Sequence, residues 1–152
     1  MVGIINKIAQ VMATLFFVGH SSIMPGSCGS LVTVLGLFLL PTVAWYVYLG
    51  AIVVLFLIGW WAADRHAKQL QKNDPSCIVI DELVGMMITL FIMPKSVIVY
   101  ASAFVVFRLF DIVKPFPINI LERRVYGGLG IMLDDVLAGF MAWIVVGAMF
   151  LR

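Results

Sequence analysis

The sequence is poor in charge, cysteine and histidine, and each shortage excludes a class of protein. Only 12% of its 152 residues are charged, against about 25% in a typical soluble domain. The net charge is +2 and there is no run of lysine or arginine, so a nucleic-acid partner is not expected. Cys28 and Cys77 form no CxxC pair, and His20 and His66 do not have a metal-binding helical spacing. A disulfide framework and a zinc site are therefore excluded.

Apolar residues dominate what remains. They make up 63% of the chain, and the mean hydropathy is +1.12. A soluble globule of this size could not bury so much apolar side chain, and the same composition excludes disorder. We therefore expect an all-α integral membrane protein, with residues 1–152 forming a single membrane-embedded domain.

The apolar runs predict a bundle of four to five transmembrane helices. A spanning helix needs about 20 apolar residues, because the hydrocarbon core is about 30 Å thick. Four runs approach that length and the first is shorter: the predicted spans are 28–40, 42–63, 78–93, 97–113 and 129–151. Whether residues 31–40 cross the membrane or re-enter it stays open at this point.

Residues 1–18 have a different pattern. Apolar residues recur at helical spacing from Ile4 to Phe16, while Asn6, Lys7 and Gln10 lie elsewhere on the helix. The pattern predicts an N-terminal amphipathic helix lying on the membrane interface. The alternative is a short transmembrane helix.

Basic and aromatic residues orient the predicted spans. Most lysines and arginines outside the spans follow the second and fourth: Arg65, Lys68, Lys72, Lys114, Arg123 and Arg124. The positive-inside rule places both of these segments in the cytoplasm. Aromatic residues bracket the second span, as they do at membrane interfaces: Trp45, Tyr46, Tyr48, Trp60 and Trp61.

Acidic residues at the ends of three predicted spans are the most informative feature. Charges inside a membrane are costly and usually functional. The topology brings five acids and two cations to the cytoplasmic face: Asp81, Glu82, Asp111, Asp134 and Asp135, with Arg108 and Lys114. Oxygen donors without nearby histidine or cysteine suit a hard cation such as Mg²⁺, which also binds phosphate oxygens. The alternative is a set of interhelical ion pairs, which would leave the acids in excess.

The segment 19–30 is rich in glycine and serine. We interpret it as a loop on the same face, followed by a helix that begins near Ser30. Backbone N–H groups at its glycines and the hydroxyls of Ser27 and Ser30 are suited to an anion. The alternative is an ordinary turn. Gly85 and Gly139 follow the acid pairs by about one turn and predict close helix packing.

Known phosphatase signatures narrow the chemistry. Neither cysteine is followed six positions later by arginine, the two histidines lack basic partner motifs, and no DxD string is present. Cysteine, histidine and haloacid-dehalogenase-type phosphatase mechanisms are therefore excluded. A metal-assisted attack on phosphorus is left.

Four strings carry a specific resemblance: PGSCGS (25–30), DPSCIVIDELVG (74–85), FRLFDIVKPFPI (107–118) and GGLGIMLDDVLAG (127–139). Together they resemble the bacterial phosphatidylglycerophosphatase A family, in the expected order and over nearly the whole chain from residue 19. Two positions depart from the family pattern. Ser27 stands where many members have threonine, and Tyr126 stands where some have histidine.

The resemblance implies a Mg²⁺-dependent, multi-pass hydrolase of the bacterial inner membrane. It would convert phosphatidylglycerophosphate into phosphatidylglycerol and inorganic phosphate at the cytoplasmic face. The five acids would hold one or two ions and position water, with Glu82, Asp111 and Asp135 as the first choice of ligands. Arg108 and Lys114 would stabilise phosphoryl charge. The remaining residues expected to contact substrate are Pro25, Gly26, Ser27, Gly29, Ser30 and Arg123.

Other functions stay open beside this one. A cation-coupled small transporter would also place acids in its spans, but it needs a charged path across, and residues 86–93 and 139–151 carry no charge. A phosphatase acting on a different lipid phosphate shares every feature above. A phosphoalcohol transferase would need a DGxxAR-type string, which is absent, and a membrane scaffold without activity is the last alternative.

Overall fold

A computed structural model describes residues 2–151, which form α-helices and one 3₁₀ turn and contain no strand. The α-helices are α1 Val2–Ala13, α2 Pro25–Leu39, α3 Trp45–Leu70, α4 Ile80–Thr89, α5 Val97–Val113, α6 Ile118–Arg124 and α7 Gly127–Phe150. The prediction of an all-α protein is confirmed over this part of the chain. Met1 and Arg152, the first and last residues of the predicted domain, lie outside the described residues.

Helix boundaries differ from the prediction where the local backbone turns. The prediction of 97–113 matches α5, but α1 ends at Ala13 instead of residue 18, because Leu15, Phe16 and Phe17 adopt left-handed φ angles. α4 ends at Thr89 instead of residue 93, ahead of a left-handed Ile92 and Pro94. The other predicted spans, 28–40, 42–63 and 129–151, correspond to α2, α3 and α7 with shifted ends. α6 was not predicted.

Two helices, α3 and α7, are long and apolar enough to cross a membrane. α1 has 12 residues and rises about 18 Å, which is too short for the alternative of a transmembrane helix. α2, α4 and α5 have 15, 10 and 17 residues, below the usual spanning length of about 20. The predicted number of four to five spans is therefore not confirmed.

α7 is the central helix and packs against α3, α4, α5 and α6. Its contact with α4 is close because two glycines face each other: a Cβ on Gly139 would collide with the carbonyl oxygen of Gly85. Thr89 Oγ1 donates to the Gly85 carbonyl at 2.9 Å and lies 3.3 Å from that of Gly139. The prediction that these glycines permit close packing is confirmed.

The helices alternate in direction, so the helix ends that carry the acidic and basic residues meet at one end of the bundle. α2, α4 and α7 begin at the end of the bundle where α3 and α5 finish. Asp64, near the end of α3, accepts a hydrogen bond from the backbone N–H of Gly128 at 3.3 Å. Five helix ends and the linker from 71 to 79 therefore surround one region.

Candidate active site

That region contains a pocket of about 440 Å³. It is lined by six carboxyl groups and two cations: Asp74, Asp81, Glu82, Asp111, Asp134 and Asp135, with Arg108 and Lys114. All five acids and both cations selected from the sequence are therefore brought together. Carboxylates are in excess by four formal charges if all are ionised, which is costly in a partly buried site without a further cation.

Local helix geometry positions these groups. Asp81 and Glu82 occupy the first turn of α4, where the helix dipole favours negative charge. Asp134 and Asp135 lie about two turns into α7 and are buried with 8% and 3% exposure. They are directed toward the pocket because α7 packs tightly on α4 at the glycine contact.

The end of α5 supplies the cations. Arg108 Nη1 lies 2.5 Å from Asp111 Oδ2, one turn along the same helix, and 3.6 Å from Glu82 Oε1 on α4. Lys114 caps α5 in a left-handed conformation. Its Nζ lies 2.7 Å from Glu122 Oε1 and 3.3 Å from Asp134 Oδ2.

Ion pairing accounts for only part of the acidic cluster. Within residues 2–151, neither Asp81 nor Asp135 forms an ion pair. Four buried carboxylate oxygens in the pocket also lack a hydrogen-bond partner: Asp81 Oδ1, Glu82 Oε2, Asp134 Oδ1 and Asp135 Oδ2. Buried polar atoms are normally satisfied, so the alternative of interhelical ion pairs leaves the centre of the pocket unexplained.

Three of these acids can share one ion. One oxygen each from Asp81, Glu82 and Asp135 lies within 4.8 Å of the others, and all three residues are buried. The donor set is oxygen only, which fits a hard divalent cation. The grouping differs from the first-choice ligands of the sequence, because Asp111 is paired with Arg108 and Asp81 takes its position.

Outside the helices, the surroundings shift the pKa values of two charged groups that line the pocket. Withdrawal from water raises the pKa of the Asp74 carboxyl, and its neighbours Glu122 and Asp111 add to the rise while Lys114 opposes it. For Lys114, burial lowers the pKa, but contacts with Glu122 and Asp134 outweigh it and the net pKa is raised. Lys114 therefore keeps its positive charge near neutral pH.

The prediction of a loop at residues 25–30 is wrong. These residues form the first turns of α2, which begins at Pro25 and not near Ser30, because proline is well tolerated at the first helical position. The Ser30 hydroxyl is buried and donates to the carbonyl oxygen of Gly26 at 2.9 Å. Only Pro25 and Gly26 of the segment line the pocket.

The other predicted substrate contacts lie elsewhere. A Cβ on Gly29 would come within 2.9 Å of Val79 Cβ, so this glycine serves helix packing. Ser27 is not among the residues that line the pocket, and Arg123 lies exposed near the end of α6. The geometry therefore does not bring Ser27, Gly29, Ser30 or Arg123 to the acids.

Gly26 approaches the site closely. A Cβ there would collide with Glu82 Oε1 and lie 3.0 and 3.1 Å from the two terminal nitrogens of Arg108. Glycine at this position therefore leaves room for the pair formed by Arg108 and Glu82.

Reasoning from the sequence missed several lining residues. Asp74 and Ser76 lie in the linker before α4, while Met24 and Ile112 form an exposed apolar edge, with 59% and 61% exposure. Asp74 stands at the start of the string DPSCIVIDELVG, so its place in a long motif was an available signal. Ile112 also lies in such a string, FRLFDIVKPFPI, but its apolar side chain is like that of any lipid-facing residue.

These features define a class of protein: a helical, membrane-type chain whose pocket combines clustered carboxylates with fixed cations. Comparison with known sequences then gives the family. The sequence model of the phosphatidylglycerophosphatase A family matches residues 11–150. The chain belongs to this family of phosphatases, as the four strings led us to expect.

Two individual relatives carry the name of this family, and a third is named for a different lipid phosphate. Phosphatidylglycerophosphatase A of Escherichia coli is 37% identical over 134 residues, which cover 88% of this chain and 78% of that protein. The Haemophilus influenzae protein of the same name is 38% identical over 149 residues, or 97% and 91%. A Bacteroides thetaiotaomicron protein provisionally named phosphatidylinositol-3-phosphatase is 39% identical over 144 residues, or 90% and 89%. No solved structure matches the chain.

Proposed function

We propose that the protein hydrolyses phosphatidylglycerophosphate to phosphatidylglycerol and inorganic phosphate, with Mg²⁺ in the carboxylate pocket. The observation that carries the proposal is the gathering of six acids and two cations in one pocket of a chain from this family. The family name and the two phosphatidylglycerophosphatase A relatives indicate the substrate.

The metal is proposed from the donor chemistry. Asp81, Glu82 and Asp135 would hold Mg²⁺, and the unpartnered oxygen of Asp134 is available to a second ion. When bound, the ion supplies positive charge that polarises a phosphoryl oxygen and lowers the pKa of a coordinated water.

The chain's own residues bind the phosphate and move protons. Arg108, held by Asp111, and Lys114, held by Glu122, are fixed positive charges for the phosphoryl oxygens. The carboxylates orient a water whose oxygen forms the new bond to phosphorus as the bond to the glycerol oxygen breaks. One proton of the water passes to the carboxylate cluster, and the cluster returns a proton to the released glycerol oxygen.

The edge of the pocket suits a lipid substrate. Met24 at the start of α2 and Ile112 near the end of α5 are exposed apolar residues that also line the pocket. A phospholipid can keep its acyl chains against this apolar edge while its phosphate reaches the acids.

Membrane placement is part of the proposal. α3 and α7 are the two long apolar helices, and α2, α4 and α5 would complete a multi-pass bundle through local thinning of the bilayer. α1 exposes Ile4, Ile5 and Ile8, as an interfacial helix does. The basic residues after α3 and α5 support the proposal that the pocket faces the cytoplasm at the bacterial inner membrane.

The test is phosphate release by the purified, detergent-solubilised protein. We expect release from phosphatidylglycerophosphate with Mg²⁺ and none with EDTA, and little release from phosphatidate. Asp135→Asn should abolish turnover without loss of folded protein, while Asp64→Asn, an acid outside the pocket, should keep near-normal activity. Activity of Asp135→Asn close to the wild type would show that the metal assignment is wrong.

A second candidate substrate has support from the Bacteroides thetaiotaomicron relative, whose name points to an inositol lipid phosphate. The same assay with phosphatidylinositol 3-phosphate decides between the two lipids. Preferential release from this lipid would replace the proposed substrate but keep the site. Absence of release from every lipid phosphate, by folded protein with Mg²⁺, would favour the cation-coupled transporter.

A further inference from the structure

A second concave surface lies between α1 and α3, and we name it the α1–α3 crevice. It has a volume of about 630 Å³, and its walls include Asn6 of α1 with Leu57, Trp60, Arg65 and Lys68 of α3. It shares no lining residue with the carboxylate pocket. Nothing in the proposed hydrolysis uses it.

The crevice carries a net positive charge. Lys68 Nζ lies 2.6 Å from Asp64 Oδ2, so these two residues balance each other. Arg65 Nε donates to Asn6 Oδ1 at 2.9 Å, and within residues 2–151 the arginine forms no ion pair. Its guanidinium is thus oriented by a neutral amide, and its charge is left for a partner from outside the protein.

Along α3, the crevice walls change from apolar to aromatic to basic, in the same order as the acyl chains, glycerol and phosphate of a phospholipid. Leu57 is exposed and apolar, Trp60 and Trp61 are 41% and 43% exposed, and Arg65 follows one turn later. Leu57 and Arg65 are separated by about 12 Å along the helix axis. Acyl chains, the glycerol region and the phosphate of a lipid follow one another in this sequence, and tryptophan prefers the middle level.

We infer that the α1–α3 crevice binds an anionic glycerophospholipid of the surrounding bilayer, in preference to a zwitterionic one. The headgroup phosphate would contact Arg65 and Lys68, the glycerol would lie beside Trp60 and Trp61, and one chain would pack on Leu57. A lone phosphate monoester would use the cations but leave the apolar and aromatic walls uncovered. The inference depends on α3 crossing the membrane and not on the substrate of the carboxylate pocket.

Bromine-labelled acyl chains test it, because bromine quenches nearby tryptophan fluorescence. A protein with Trp45→Phe and Trp143→Phe reports on Trp60 and Trp61 alone. It is reconstituted in phosphatidylcholine bilayers that contain brominated phosphatidylglycerol or brominated phosphatidylcholine. Each basic residue near an anionic lipid contributes about a fivefold preference, so we expect brominated phosphatidylglycerol to be favoured by at least that factor.

Variants locate the preference. Arg65→Gln should remove most of it, and Arg65→Lys should keep most of it because the positive charge is retained. Lys95→Gln is the matched control, since Lys95 is exposed but belongs to the loop between α4 and α5. An unchanged preference in Arg65→Gln, or equal quenching by the two lipids in the wild type, would overturn the inference.

Two further arms separate the other outcomes. Glycerol 3-phosphate at millimolar concentration should not reduce the quenching, and displacement by it would show that the crevice binds free phosphate esters instead. The complementary protein, with Trp60→Phe, Trp61→Phe and Trp143→Phe, reports on Trp45 at the other end of α3. Absence of quenching by either lipid in both proteins would show that α3 is not in the bilayer and would reject the site. Phosphate release is measured separately, so failure of the proposed hydrolysis would not be confused with failure of lipid binding.

Discussion

Replacing Gly26 with alanine gives a direct test of the site geometry. The new Cβ would collide with Glu82 Oε1 and crowd the guanidinium of Arg108, so the proposed metal ligand or the proposed phosphate-binding cation must move. A displacement of about 1 Å at reacting groups costs about 10²-fold in rate. We therefore expect kcat to fall about 100-fold, equivalent to about 2.7 kcal/mol in the activation barrier.

Stability should change little, because the new Cβ would meet the ends of the Glu82 and Arg108 side chains, which can move, and not fixed backbone. Alanine is favoured over glycine in helices by up to about 1 kcal/mol. Gly36→Ala is the matched control, because Gly36 lies in the same helix and a Cβ there meets nothing within 4 Å. Initial rates of phosphate release and the unfolding temperature in detergent are measured for both variants. A Gly26→Ala enzyme within about threefold of the wild-type kcat, well below the expected loss, would refute the importance of this pair.

Two further predictions concern the metal and the helix contact. At about 100 times its Kd, Mg²⁺ should stabilise the folded protein by about 2.7 kcal/mol and raise its unfolding temperature. The Glu82→Gln variant should lose this rise in unfolding temperature. An equal rise in the variant and the wild type would show that the ion binds elsewhere. Gly85→Ala should destabilise the protein by about 1–3 kcal/mol, because its Cβ would lie 2.8 Å from the Asp135 carbonyl oxygen and against the Phe107 ring. The control variant Gly50→Ala should not destabilise it, because a Cβ on Gly50 meets nothing within 4 Å. Similar unfolding temperatures for the two variants would contradict the close packing of α4 on α7.

The amino-acid sequence was most informative about properties that are local or periodic. The all-α class follows from apolar runs alone, and the apolar run predicted at 97–113 matches α5 at both ends. The sequence was less informative about helix ends. The backbone turn at Leu15–Phe17 and the start of α2 at Pro25 depend on how these segments pack against their neighbours.

The sequence by itself determined the identity and order of the chemical groups. These are carboxylates that outnumber the cations at the ends of apolar helices, and they lie in four strings that resemble one family. The tertiary structure alone decided which of them meet. Asp81 joins Glu82 and Asp135, whereas Asp111 turns to Arg108, and Asp74 enters from a linker. The physical reason is that helix periodicity fixes the face on which a side chain lies, while its partner on another helix depends on packing. Here that packing is set by the close contact between Gly85 and Gly139.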